Sequence, residues 1–132
     1  MNVIVVDTSS WISYFKGIPN DDIDLGLKEG RVYLSPIAAA ELLSSRLKPT
    51  ERTQLIDFLK ELPICESTFE HWARVGDLRA SLAKKGVNVS TPDAHIAQCT
   101  IDLNGYLLSE DAVFKKISRS TPLRLLAADD HN

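Results

Sequence analysis

The sequence predicts an α/β domain built on a mostly parallel β-sheet, and two observations lead to this fold class. Short apolar segments of strand length alternate along the chain with amphipathic segments of helix length, which is the order of βαβ units. The opening segment, residues 3–6, consists of four consecutive β-branched apolar residues, a composition typical of a strand covered on both faces. The chain of 132 residues has the length of one domain, so residues 1–132 are expected to form a single domain.

The alternation of strands and helices can be followed along the chain. Strands are predicted at residues 3–6, 31–34, 63–66 and 106–109, with residues 123–126 as a candidate edge strand. Helices are predicted at residues 11–15, 21–30, 36–47, 50–62, 68–85, 92–103 and 111–118. In Ser35-Pro36 and Thr91-Pro92 a hydroxyl residue precedes proline, which is a typical helix start. Phe69 is expected to face inward from the long helix, and residues 129–132 are expected to be frayed.

Composition and charge are those of an ordinary globular protein, with 44% hydrophobic residues, 25% charged residues and a net charge of −3. No apolar run approaches the ~20 residues of a membrane-spanning helix. Asp7 interrupts the N-terminal apolar run that a signal peptide requires, so we expect a cytoplasmic protein. The net acidity argues against nucleic-acid binding through a broad basic face. Cys65 and Cys99 match no metal-binding or disulfide spacing and are expected to be buried thiols.

Four acids are predicted to lie near the carboxyl end of the sheet: Asp7, Glu41, Asp93 and Asp111. Ligands of open α/β sheets bind at that edge. Simpler explanations exist, because Asp7 or Ser9 could cap the following helix, and Asp93 and Asp111 could favour a helix dipole. Glu41 is different, since its helix is apolar almost all round. This pattern predicts a buried carboxylate, with a surface-exposed Glu on a largely buried helix as the alternative. No basic residue lies three or four positions away to pair with it.

A cluster of these acids would require a cation. At an effective dielectric constant near 20, two like charges ~4 Å apart repel each other by about 4 kcal/mol. Oxygen ligands without nearby Cys or His pairs favour Mg²⁺ or Mn²⁺ over zinc, and such ions typically act on phosphates. Of the 18 acids in the chain, the 14 outside this cluster nearly balance the 15 Lys and Arg residues. The net charge therefore does not exclude a polyanionic substrate.

Four segments together resemble a PIN domain. They are Val3-Ile4-Val5-Val6-Asp7-Thr8-Ser9, Ser35-Pro36 through Glu41, Thr91-Pro92-Asp93-Ala94-His95-Ile96-Ala97, and Leu107-Leu108-Ser109-Glu110-Asp111. Each segment is a weak signal alone, but four in this order and at these separations are fairly specific. The resemblance covers essentially the whole chain. In length and layout the chain is similar to the single-domain VapC toxins of bacterial and archaeal toxin–antitoxin pairs.

The resemblance implies a three-layer α/β/α fold and a metal-dependent endoribonuclease. Such an enzyme cuts RNA phosphodiester bonds by water attack and leaves 5′-phosphate and 3′-hydroxyl ends. The residues that it implies as catalytic and as ligands of one or two Mg²⁺ or Mn²⁺ ions are Asp7, Glu41, Asp93 and Asp111, and Ser9 and Ser109 match supporting positions. A homodimer and a cognate VapB-type antitoxin that blocks the groove are implied as partners. Glu110 departs from the family, which often has a neutral or basic residue there.

Two other functions fit parts of the pattern. Asp7 could be the covalent nucleophile of a phosphohydrolase, although Ser9 stands where such enzymes usually carry a second Asp. Alternatively, the acidic pocket could receive a basic peptide without any turnover. RNA cleavage, phosphoenzyme formation and binding alone are therefore the three hypotheses that the sequence leaves open.

Several other polar and aromatic residues have ordinary structural interpretations. His95 lies two positions after Asp93, a spacing that points the two side chains apart on a helix. His71 is expected to be an ordinary helix residue. Core or dimer packing is the favoured interpretation for three aromatic residues, Trp11, Tyr14 and Phe15. The best candidates for phosphate contacts are the basic residues Arg74, Arg79, Lys84 and Lys85.

Overall fold

The computed structural model of the chain describes residues 2–126. Its centre is a parallel sheet in which the strand order is β2-β1-β3. The strands are β1 (Ile4–Val6), β2 (Val32–Tyr33) and β3 (Tyr106–Leu108). Val5 of the middle strand pairs with Tyr33 on one side and with Leu107 on the other. All of β1 is buried, as its run of β-branched residues predicts.

Helices cover both faces of the sheet. Within residues 2–126 they are α1 (Thr8–Phe15), α2 (Asp21–Lys28), α3 (Pro36–Leu43), α4 (Pro49–Leu59), α5 (Phe69–Lys84), α6 (Thr91–Asp102) and α7 (Val113–Ser118). Neighbouring residues of a strand face opposite sides of the sheet. Val5 accordingly packs with buried residues of α5, α6 and α7, whereas Ile4 and Val6 pack with those of α1 to α4. The arrangement is the predicted three-layer α/β/α sandwich.

The prediction of two outer strands, at residues 63–66 and 123–126, is wrong. Each segment makes one isolated parallel bridge, Leu34 with Ile64 and Leu107 with Leu125. The first ladder stops after this bridge because the connection to α5 is short, and Thr68 already caps that helix. The sheet is therefore smaller than the hydrophobic pattern of these segments suggests.

The helix that carries Glu41 is shorter than predicted, since α3 ends at Leu43 rather than near residue 47. The hydroxyl of Ser44 donates to the carbonyl oxygen of Ala40 at 2.6 Å, and that of Ser45 donates to Leu42 at 2.6 Å. Serine hydroxyls that bond to nearby carbonyls compete with the regular helix ladder. The other predicted helices are present, with ends that differ by a few residues.

Phe69 is 79% exposed, so the prediction that it faces the core is wrong. It is the first residue of α5, and helical periodicity cannot show whether a terminal turn extends past the layer it packs on. Farther along the same helix, Val75, Leu78 and Leu82 are buried as predicted. The predicted frayed tail, residues 129–132, lies outside the described residues. In the described part of the chain, no helix combines the length and apolarity needed to cross a membrane.

Candidate active site

Asp7 lies directly after β1 and is held by three hydrogen bonds. Its Oδ1 accepts from the Ser9 hydroxyl and from the Ser10 backbone N–H, both at 3.0 Å, and its Oδ2 accepts from the Ser109 hydroxyl at 2.5 Å. The residue caps α1, so the simple structural explanation of this acid is correct. Its side chain is also 4% exposed and has a fixed orientation, which is the arrangement expected of a preorganised ligand.

Ser109 joins Asp7 to Asp111. Because β1 and β3 are neighbouring parallel strands, their carboxyl ends meet, and the Asp7 N–H donates to the carbonyl of Leu108 at 3.1 Å. The Ser109 oxygen also accepts from the Asp111 backbone N–H at 3.0 Å. Asp111 Oδ1 accepts from the Val113 N–H at 3.0 Å, next to the start of α7. One hydroxyl thus positions two of the four acids.

Glu41 lies on α3 beside the start of α1, where its Oε1 accepts from the Thr8 hydroxyl at 2.5 Å. The prediction that its carboxylate is buried is wrong, because Glu41 is exposed. The apolar composition of α3 misled the prediction, since only Ala38 and Leu42 of that helix are fully buried. Glu41 therefore faces solvent while remaining tied, through Thr8, to the helix that follows Asp7.

Asp93 lies half-buried in the first turn of α6, where Ser90 caps the helix. Burial raises the pKa of its carboxyl, and the hydrogen bond with Ser90 opposes that effect. The negative charges of Asp111, Asp7 and Glu41 raise the pKa further. The structure thus brings Asp7, Glu41 and Asp111 within electrostatic reach of Asp93.

The four acids have the chemistry of a site for a hard divalent cation. The four ion pairs formed within residues 2–126 involve Glu29, Asp57 and Asp102, so none of them neutralises this group. Asp7 is a buried carboxylate that forms no ion pair with any residue of the described range 2–126, and all potential ligand atoms are oxygens. These features fit Mg²⁺ or Mn²⁺. Their roles as metal ligands and catalytic residues stay a prediction.

The predicted phosphate contacts have different surroundings. Arg74 is paired with Asp102 at 2.8 Å, whereas Arg79 donates to the carbonyl of Val89 at 2.8 Å, in the loop that leads to Asp93. Lys84 and Lys85 are exposed at the end of α5, and Glu110 is exposed as well. Trp11 is completely buried, so packing rather than base stacking explains this residue.

The sequence interpretation missed a second buried polar cluster. His71 and His95 are 1% and 0% exposed, and His71 Nε2 lies 2.7 Å from His95 Nδ1. Burial and the charge of His71 lower the pKa of His95 to about 4. Burial raises the pKa of Asp102, but hydrogen bonds from Arg74, Gln98 and His71 outweigh it, so the net pKa lies below the usual range. The available signal was the spacing of His95 and Cys99, four apart on one helix face.

Comparisons with known proteins agree with this architecture. A model of the PIN domain matches residues 4–120. A comparison with curated proteins finds no match.

Solved structures of VapBC complexes resemble the chain over nearly its whole length. A DNA-bound VapBC from Salmonella typhimurium has a TM-score of 0.79 and 23% identity, covering 96% of this chain and 98% of that one. VapBC2 from Rickettsia felis, bound to a promoter DNA fragment, has a TM-score of 0.76 and 24% identity, covering 94% and 97%. VapBC-1 from nontypeable Haemophilus influenzae has a TM-score of 0.74 and 20% identity, covering 94% and 96%. These similarities establish the fold.

Proposed function

Because the chain belongs to the PIN domain family, we propose that it is a VapC-type toxin, a metal-dependent endoribonuclease inhibited by a cognate VapB-type antitoxin. PIN domains are nucleases as a class, which supports the hydrolysis of phosphodiester bonds. The similar solved structures are VapBC complexes, which supports an antitoxin partner. The RNA substrate and the inhibition are proposed from the family resemblance. The cytoplasmic location is proposed from the buried free thiols of Cys65 and Cys99, which suit a reducing compartment.

The observation that carries this proposal is the electrostatic influence of three of the acids on the fourth, Asp93. The pKa of Asp93 is raised by its burial and by the charges of Asp111, Asp7 and Glu41. None of the ion pairs within the described residues relieves this repulsion. A group of acids held together by the fold, against their own repulsion, is well suited to bind a divalent cation.

The proposed roles follow from the geometry. The residues that would hold Mg²⁺ or Mn²⁺ are Asp7, Glu41, Asp93 and Asp111. Such an ion, when bound, lowers the pKa of water and stabilises the charge that develops on a phosphate. Ser9 and Ser109 orient Asp7 through their hydroxyls, and Arg79 lies beside the loop that leads to Asp93, where it can contact RNA phosphate.

An apolar groove between α1 and α4 supports a protein partner. Ile12 and Phe15 are 40% and 43% exposed, and with Leu55 and Phe58 they line a cleft of ≈ 520 Å³. Exposed apolar surface of this kind commonly marks a protein interface. The proposed homodimer or the antitoxin would cover it.

A phosphohydrolase that uses Asp7 as its nucleophile is not favoured by the geometry. Both oxygens of Asp7 already accept hydrogen bonds, and the side chain is 4% exposed. A nucleophile must reach its phosphorus in line, which this environment opposes. Binding without turnover is the alternative that the following experiment separates.

Cleavage of total cellular RNA by the purified chain tests the proposal. Reactions contain Mn²⁺, Mg²⁺ or EDTA, with Asp93→Asn as the contamination control and Asp77→Asn as a charge-matched variant of an exposed acid on α5. We expect metal-dependent cleavage in the wild type and in Asp77→Asn and none in Asp93→Asn. A folded wild type that binds Mn²⁺ without cutting any RNA would favour the binding alternative.

A further inference from the structure

A second group of potential metal ligands lies in the core, between α5 and α6. Among the described residues, His71, His95 and Cys99 offer nitrogen and sulfur atoms that lie within 4.8 Å of one another, and all three are buried. Cys65, which is 3% exposed, lines the same cavity as His71 and Cys99. We propose that Cys65, His71, His95 and Cys99 form a tetrahedral zinc site that stabilises the fold.

The ligand types favour zinc over the ions expected at the acid cluster. Two thiolates and two imidazoles form a common structural zinc set, whereas Mg²⁺ and Mn²⁺ prefer oxygen. The protein supplies this set from three separate segments. Cys65 follows the bridge to Leu34, His71 lies on α5, and His95 and Cys99 lie one turn apart on α6. An ion bound here would join these three segments in the core.

The distances are near those of a tetrahedral zinc site. His71 Nε2 and His95 Nδ1 lie 2.7 Å apart, and Cys99 Sγ lies 4.0 Å from the first nitrogen and 3.8 Å from the second. Ligand bonds of about 2.0–2.3 Å place nitrogen atoms about 3.3 Å apart and nitrogen and sulfur about 3.6 Å apart. Cys99 Sγ also lies 3.5 Å from His95 Nε2, so its thiol must rotate toward Nδ1. The ligand atoms of His71, His95 and Cys99 thus lie within about 0.6 Å of these separations, and Cys65 would complete the set from the cavity beside them.

The environment of the two imidazoles is that of zinc ligands. Histidines that bind metals usually donate their other ring N–H to a carboxylate or another oxygen. His71 Nδ1 lies 3.1 Å from Asp102 Oδ2, and His95 Nε2 lies 2.9 Å from Ser35 Oγ. Asp102 is itself held by Arg74 and Gln98, both at 2.8 Å. Both rings are thus oriented so that Nε2 of His71 and Nδ1 of His95 face the same point.

An entry path to the cluster is present as well. A cavity of ≈ 440 Å³ is lined by Cys65, His71 and Cys99, together with Arg74 and Asp102 at its polar side. None of the four acids of the candidate active site lines this cavity. Zinc binding is therefore separate from the proposed nuclease centre, and RNA cleavage does not test it.

The competing explanation is a hydrogen-bond chain without a metal. Asp102, His71, His95 and Ser35 can be linked by one proton per contact, with both imidazoles neutral. This chain satisfies every ring nitrogen. The two explanations can be separated by the sulfur atoms, since only zinc binding uses them as ligands.

Metal titration of the full-length chain separates these explanations. The protein is purified under reducing conditions, stripped with EDTA and titrated with Zn²⁺ in competition with a chromophoric chelator. We expect one tightly bound zinc per chain. With Co²⁺ in its place, we expect the charge-transfer absorption of cobalt–thiolate bonds and quenching of Trp72, whose ring stacks on His95 at 4.8 Å.

Variants identify the site. Asp102→Asn should weaken zinc binding by about 10–100-fold, Cys65→Ser and Cys99→Ser should reduce the thiolate absorption, and Asp7→Asn should leave both unchanged. Far-ultraviolet circular dichroism shows whether a cysteine variant folds, and the wild-type cobalt spectrum gives a result independent of them. Absence of thiolate absorption in the wild type would overturn the proposal. Zinc that is retained in Cys65→Ser but lost in Asp7→Asn would also overturn it, because the ion would then bind at the acids.

Discussion

Replacing Ser109 with alanine is expected to loosen the acid cluster while preserving the fold. The Ser109 hydroxyl donates to Asp7 Oδ2 at 2.5 Å and its oxygen accepts from the Asp111 N–H at 3.0 Å. Alanine leaves the carboxylate of Asp7, which is 4% exposed, with two donors instead of three. It also removes the acceptor of the Asp111 N–H, so the orientations of the Asp7 and Asp111 side chains become less restricted.

The size of the effect can be bounded from these contacts. A hydrogen bond to a charged group contributes about 1.5–3 kcal/mol to stability. Because Ser109 is only half-buried, we expect the free energy of unfolding to fall by the lower figure, about 1.5 kcal/mol. Removal of a group that orients a metal ligand lowers metal affinity or activity by about 10–100-fold. We expect the rate of RNA cleavage at limiting Mn²⁺ to fall by this factor and to recover partly at high Mn²⁺.

Ser10→Ala is the matched control for this experiment. Ser10 also contacts Asp7, but only through its backbone N–H, and its buried hydroxyl has no hydrogen-bond partner within the described part of the chain. Removal of an unsatisfied buried hydroxyl should leave stability unchanged or raise it. Ser109→Thr keeps the hydroxyl and should retain activity. Urea denaturation in EDTA measures the stability, and initial cleavage rates across a Mn²⁺ series measure the activity.

The reasoning is refuted by either of two results. Equal losses in Ser109→Ala and Ser10→Ala would show that the hydroxyl bonded to Asp7 has no special role. A wild-type cleavage rate for Ser109→Ala at limiting Mn²⁺ would show that the orientation of the acids does not limit metal use.

Four further predictions concern charge and packing. Burial and the neighbouring acids raise the pKa of Asp93 and so disfavour its ionised form. Asp93→Asn should therefore raise the free energy of unfolding in EDTA at neutral pH. The same variant should abolish RNA cleavage, because it removes a proposed metal ligand. Gly105→Ala should lower the free energy of unfolding by about 1–3 kcal/mol, since the added Cβ would lie 2.6 Å from the carbonyl oxygen of Val3. Gly76→Ala, whose added Cβ would have nothing within 4 Å, should raise the free energy of unfolding by about 0.4–1 kcal/mol. Urea denaturation measures both changes. The pKa of Asp102 is lowered in the folded protein, so ionised Asp102 contributes to the free energy of unfolding above the ordinary Asp pKa of about 3.9, and this contribution is lost as the pH falls through the folded pKa. In EDTA, the difference in the free energy of unfolding between wild type and Asp102→Asn should therefore narrow as the pH falls below about 3.9. A difference that stays constant with pH would contradict this assignment.

Local signals accounted for the fold class and for the position of most elements. The β-branched run of β1, the hydroxyl–proline start at Ser35 and the acids that follow β1 and β3 are patterns that act within a few residues. Such patterns favour the same helix or strand whatever the rest of the chain packs against it. The approach of Asp7 to Asp111 also followed from local order, because the parallel strands β1 and β3 bring their carboxyl ends to one edge.

The properties that the sequence could not reveal depend on contacts between distant segments. Glu41 is exposed because packing buries only one face of α3, and composition alone cannot show which face that is. His71 and His95, which are 24 positions apart, are paired through the packing of α5 on α6. Cys65, in the segment between α4 and α5, lines the same cavity as Cys99, 34 positions away. Burial and pairing of this kind are set by the shape of the whole core. They could therefore be seen only in the tertiary structure.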